Sequence, residues 1–255
     1  MTIGIFLWHP YWVVRRLRMS ELIQISANEL KFLVKRSVEG LGFSPGDQLS
    51  AGIKAASAFQ LGLANSRLLD QALDALNGLI SAPVLVSSSD QELEFDAQGQ
   101  SALVQVELAL GLSLAKAVPQ LRIKQVAAAV FAVPCLMNWL AQPLSQPAAQ
   151  QCYALYFTHH TGAQRCVLIA ADGQLLGMYQ PLQHVVAADE LLLCMGQADI
   201  DGVLITDGAD LLGWRERCLD QGIHLDVALV SRLKRMMQAS FVPETEASRA
   251  GAGPS

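Results

Sequence analysis

Residues 241–255 carry the most unusual chemistry in the sequence. Phe241-Val242-Pro243-Glu244-Thr245-Glu246-Ala247-Ser248-Arg249 runs into Ala250-Gly251-Ala252-Gly253-Pro254-Ser255. Small, polar composition at a terminus ordinarily means fraying. The guanidinium offers a second reading, in which a tail of small residues folds over a pocket and Arg249 clamps the carboxylate or phosphate of an anionic small molecule. Glu246 then acts as acid or base or pairs with Arg36, Ser248 adds a hydroxyl, and Asn28 and Glu29 contribute from the first helix. An alternative is a non-catalytic subunit whose tail docks into a partner, in a homo-oligomer or hetero-complex.

Other residue sets with chemical potential fail on spacing. His159-His160 is the only histidine pair, and adjacent residues of a strand point to opposite faces, so one strand cannot aim both at a metal. Asp199, Asp201, Asp207 and Asp210 bracket an apolar run, whereas a calcium loop needs alternating oxygen ligands through to a Glu at its twelfth position. Turns and caps that use Asp explain them more simply. Cys135, Cys152, Cys166, Cys194 and Cys218 contain no C-x-x-C, so neither a zinc site nor a thioredoxin motif is expected. All five read as reduced thiols in a cytoplasmic protein. No G-x-G-x-x-G follows a strand, and no phosphate loop or G-x-S-x-G elbow occurs. No metal or cofactor is expected from these patterns.

Composition narrows the partners. The 255 residues are 52% hydrophobic and 16% charged, with mean hydropathy +0.31 and formal net charge −5. That excludes a disordered chain, and the acidic balance disfavours nucleic acid. Val126–Ala141 is apolar but too short for a membrane span and carries Pro134 and Asn138, so it reads as core. Met1–Val14 is apolar and aromatic and precedes Arg15, Arg16 and Arg18, the reverse of a secretory signal. Residues 1–18 read as a spurious upstream extension, with the start at Met19.

The elements that must position these residues fall into zones. Residues 19–80 read as three helices. The first follows Ser26-Ala27-Asn28-Glu29, a capping box, and ends at Gly40 and Gly42. The second opens at Ser44-Pro45 with Leu49, Ile53, Ala56, Phe59 and Leu63 on its apolar face; the third runs from Ser66 to Ile80. Residues 81–150 form a mixed central region, with short strands at 84–86 and 93–95 and a loop at 143–151; between them 103–118 alternates as a strand would, but its helix-forming residues and few β-branched ones favour a buried helix. Residues 151–240 read as a β-meander (152–158, 165–171, 175–179), a strand at 202–206 and helices at 210–221 and 226–240. Pairing across the first turn puts Cys152 opposite about residue 171, away from Cys166. Val227, Val230, Leu233, Met236 and Met237 form the inward face of the last helix. The fold class is α+β: an N-terminal helical bundle, then a mostly antiparallel sheet with packed C-terminal helices.

Two resemblances accompany these motifs. The tail, Ile25-Ser26-Ala27-Asn28-Glu29-Leu30, Gly40-Leu41-Gly42, Leu110–Lys116 and Val133–Leu136 together resemble an uncharacterised bacterial family, domain of unknown function 3726, over residues 22–253. The sequence departs from that family at Gly46-Asp47-Gln48-Leu49 and in lacking an acidic ending. The resemblance implies a role for the tail and supports the start at Met19; it implies no reaction. Residues 29–76 also resemble the helical opening of the type-2 malate/L-lactate dehydrogenases. There a Ser-His-Gly loop supplies the catalytic His, and the matching Gly62-Leu63-Ala64-Asn65-Ser66-Arg67 has none. The resemblance thus implies an ancestry whose acid–base group has been lost.

Overall fold

The structure is a computed structural model that describes residues 21–76, 82–142, 152–159, 161–197 and 199–240. The proposed start at Met19, Ile80, the loop at 143–151, His160 and the tail with Glu246, Ser248 and Arg249 lie outside the described residues.

A short strand, β1 (Leu22–Ile25), precedes the helices. Ser26 then accepts the Glu29 N–H at 3.0 Å and opens α1 (Ala27–Gly40). Ser44 and Pro45 open α2 (Pro45–Gln60), and Asn65 caps α3 (Ser66–Asp74). These are the starts that their side-chain acceptors and the fixed φ of proline dictate. Gly42 ends the first turn region at φ +85. Gly40 has a different task, because a Cβ there would lie 2.1 Å from the Met236 carbonyl oxygen.

The central region contributes β2 (Val84–Ser88), β3 (Glu92–Asp96), α4 (Ala102–Lys116), β4 (Gln120–Lys124) and, after a single 3-10 turn, α5 (Ala132–Leu140). Pro134 sits in the first turn of α5, where no intrahelical N–H is lost. The meander follows as β5 (Cys152–Thr158), β6 (Gln164–Ala170) and β7 (Leu175–Pro181). Then come β8 (Leu191–Met195), β9 (Gly202–Asp207), α6 (Gly208–Gln221), β10 (Ile223–Asp226) and α7 (Val227–Gln238). The strands β1, β4, β8 and β10 are additions to the elements read from the sequence.

Eight strands form one sheet in the order β2-β3-β4-β8-β5-β6-β7-β9, antiparallel except at β3–β4. Cys152 stands opposite Ala170, and all five cysteines are free. The two sheet faces differ. Leu93, Leu121, Leu193, Leu155, Val167 and their neighbours pack under the helices in one large core. The other face carries Ala154, Tyr156, Cys166, Leu168 and Leu192 under Val185, Val186 and Ile200. Buried Gln164 fastens that cover by accepting the Val185 N–H at 2.7 Å and donating to the Val186 carbonyl.

The separate β1–β10 pair joins residues 22–25 to 223–226. Beside it Ser37 donates to both the Leu33 and Leu233 carbonyls, fixing α7 on α1. On α7, Leu229, Val230 and Leu233 are buried, but Val227 faces out, because its first turn is spent on the strand-to-helix bend. No described helix is long and apolar enough to cross a membrane.

Candidate functional site

Helix α2 carries a stripe of Gly46, Leu49, Ser50, Ile53 and Lys54, spaced three and four residues apart and therefore on one side. That stripe faces Glu107 of α4 and the Cys135, Asn138, Trp139 side of α5, with Gln142 just beyond. Together they line an open cavity of about 250 Å³. The stripe includes residues read from the sequence as core. Leu49 is instead exposed and Ile53 half-buried, because the inward side of α2 is Ala51, Gly52, Ala55 and Ala58. These small residues let α1 approach closely: a Cβ on Gly52 would lie 2.6 Å from the Lys31 carbonyl oxygen.

Lys54, on the side toward α4 and α5, is buried all the same. Its side chain is 1% exposed, and its Nζ lies 3.5 Å from Glu107 Oε1 with no hydrogen-bond partner. Glu107 is 39% exposed and accepts a hydrogen bond from the Ser50 hydroxyl. Burying an ammonium without acceptors for its N–H groups is costly. The arrangement has one cation, one distant carboxylate and a space beside them.

The other wall is apolar with polar points. Burial pushes the Cys135 thiol up to about 11, helped by the Glu107 charge and opposed by the Lys54 charge and a hydrogen bond with Trp139. At neutral pH it is a protonated thiol, not a nucleophile. Trp139 lies across α4 at Gly111, where a Cβ would meet its ring at 3.2 Å. Gly111 therefore sets how deep the cavity wall sits.

The residues singled out in the sequence lie elsewhere. Asn28 and Glu29 are exposed in the first turn of α1, at a recess shared with Gln60, Cys218 and Asp220. Arg36, two turns further on, donates to Glu39 at 2.5 Å. Glu246, Ser248 and Arg249 are outside the described residues, so nothing in the geometry brings them to this site or to Asn28. Asp207 caps α6 by accepting the Asp210 N–H at 2.8 Å, a structural use of that acidic group. No cluster of three metal-ligating side chains occurs among the described residues. Lys54 was not singled out from the sequence, since a lysine within a helix ordinarily reads as solvated. A signal existed: Ser50, Ala51, Ser57 and Ala58, its neighbours at three and four residues, are all small.

The loop between α2 and α3 holds Gly62 at φ +67 under the Trp214 ring. A Cβ on Gly62 would meet that ring at 3.2 Å.

No protein-family model and no curated protein sequence matches the chain. Solved structures do. A malate dehydrogenase from Entamoeba histolytica superposes with TM-score 0.58 at 7% identity, over 88% of this chain and 99% of that one. A dehydrogenase from Sinorhizobium meliloti gives 0.57 at 11% identity, over 85% and 100%. A delta1-piperideine-2-carboxylate reductase from Pseudomonas syringae pvar. tomato gives 0.50 at 15% identity, over 84% and 99%. The chain shares the fold of these malate dehydrogenase-like proteins.

Proposed function

We propose that this protein binds a small organic anion in the cavity between α2, α4 and α5, with Lys54 as the cation that holds it. The observation that carries this reading is the buried Lys54 ammonium, which has no hydrogen-bond partner and belongs to a residue lining a hollow of about 250 Å³. A ligand carboxylate would supply the missing acceptors. Asn138, Ser50 and Gln142 offer further polar contacts, and Ile53 and Trp139 an apolar wall. The fold shared with proteins named for malate and for a cyclic imino acid is consistent with such a ligand. In this reading the tail residues Glu246, Ser248 and Arg249 are candidates for a cover, as their composition suggests.

The test is a thermal-shift panel of small mono- and dicarboxylates on the wild-type chain, on Lys54→Met and on a form ending at Pro243. A carboxylate that stabilises the wild type but not Lys54→Met supports the reading. Equal response of both proteins, or none in the wild type, overturns it. Loss of the response in the shortened form would assign the cover to the tail.

One observation favours the second reading, an interaction protein. Both edge strands of the sheet are apolar and exposed, at Val84, Leu85 and Val86 on β2 and at Val203, Leu204 and Ile205 on β9. Exposed apolar edges invite pairing with another chain. Sedimentation of the protein as a concentration-independent monomer would remove that reading.

A further inference from the structure

We infer that Lys54 is a nucleophile as well as a counter-ion, and that it condenses with a small aldehyde or ketone carrying a carboxylate to form a covalent imine. This rests on the anion-binding reading above and goes further by naming the reacting group of the ligand.

Three features of the site support it. The first is Nζ itself: among the described residues Lys54 is the one buried lysine, and it gives its N–H groups to no acceptor. Lysines used to attack carbonyls are drawn from such desolvated positions, because water and hydrogen bonds otherwise tie up the nitrogen. The second is Glu107, 3.5 Å from Nζ and still in contact with solvent. It can take a proton from the ammonium and return it later. The third is the wall: Ile53, Trp139 and the protonated Cys135 thiol line one side of the hollow that Lys54 borders, an apolar surface for the ligand's carbon atoms.

The balance of the step is simple. The ammonium gives one proton to Glu107. The free amine attacks the carbonyl carbon, the oxygen takes the proton that the attacking nitrogen sheds, and a neutral carbinolamine forms. Glu107 returns its proton to that hydroxyl, which leaves as water as the carbon–nitrogen double bond forms. The ammonium and the carbonyl compound thus become a protonated imine and one water. Nothing is oxidised or reduced. The nitrogen is positively charged at the start and again at the end, beside the ligand carboxylate that first paired with it.

The experiment uses the full chain with glyoxylate and pyruvate as carbonyl acids and propanoate as an acid without a carbonyl. Each mixture is treated with cyanoborohydride, digested and mapped by mass spectrometry. Expected is a reduced adduct concentrated on Lys54, over the other five lysines at 31, 35, 116, 124 and 234, and suppressed by excess propanoate. Glu107→Gln should slow its formation roughly a hundredfold, the usual scale for losing a general acid–base group. Lys54→Arg should retain stabilisation by propanoate but form no adduct. If propanoate and pyruvate stabilise the wild type yet no adduct forms on Lys54, the imine is overturned and anion binding stands. If neither acid stabilises and no adduct forms, both readings fall. Labelling spread evenly over the lysines also overturns the imine.

Discussion

Two cations in this molecule are held in opposite ways. Arg232 on α7 reaches Asp70 at 2.6 Å and Asp74 at 2.7 Å, and it also donates to the Asp70 carbonyl. Its partners are largely exposed, and its fork of donors is matched to acceptors. Lys54 has the reverse arrangement: deeper burial, one carboxylate at 3.5 Å and no hydrogen bond. A charge that only fastens helices can be satisfied within the chain. A charge left unsatisfied beside a cavity points to a ligand as the missing partner.

The strongest way to break this comparison is to titrate ligand. At a thousand times its Kd a bound anion should add about 4.1 kcal/mol to the wild type and to Arg232→Met. Lys54→Met should show no gain, and a calorimetric melt reads the difference directly. The next effect is a pH dependence. The Cys135 thiol is raised to about 11 in the fold, against 9.0 for an ordinary thiol. Its contribution to stability is complete below pH 9 and is lost as pH rises to about 11. Alkaline unfolding curves should therefore fall by on the order of 2–3 kcal/mol across that window, and Cys135→Ala should flatten them.

Smaller effects separate the two cations without ligand. Lys54→Met should stabilise the empty protein by about 1 kcal/mol, since Glu107 keeps both solvent and Ser50. Arg232→Met should destabilise by no more than about 1 kcal/mol, the scale of exposed ion pairs. Urea midpoints would show opposite signs. Equal signs would mean that Lys54 is an ordinary structural ion pair. Raising salt should weaken the Arg232 pairs further while leaving buried Lys54 largely unaffected.

The sequence was informative where a local rule decides the outcome. Caps at Ser26 and Ser44 and the β5–β6–β7 meander follow from side-chain acceptors, alternation and turn residues, whereas the 102–116 helix follows from its helix-forming composition against a strand-like alternation. It was silent where a partner decides. Leu191–Met195 has no β-branched residue, yet it is an interior strand because β4 and β5 flank it. Gln120–Lys124 looks polar until Arg122 and Lys124 find Glu92, Glu190 and Glu94 on neighbouring segments. The cavity was hidden for the same reason. The apolar stripe of α2 suggested a buried face, but closeness to α1 turned the alanine side inward and left Leu49, Ile53 and Lys54 to line a hollow. The tail is legible only as chemistry in search of a place.

The pairing of β1 with β10 also sets an order of assembly. Leu22 emerges early from the ribosome but finds its partner only when Asp226 has been made. Until then an apolar strand has an unpaired edge, the kind of segment that chaperones and unwanted neighbours seize. The walls of the Lys54 cavity all lie between Gly46 and Gln142, so they can gather while synthesis continues. The segments of the site thus all precede, along the chain, the strand that clasps the molecule.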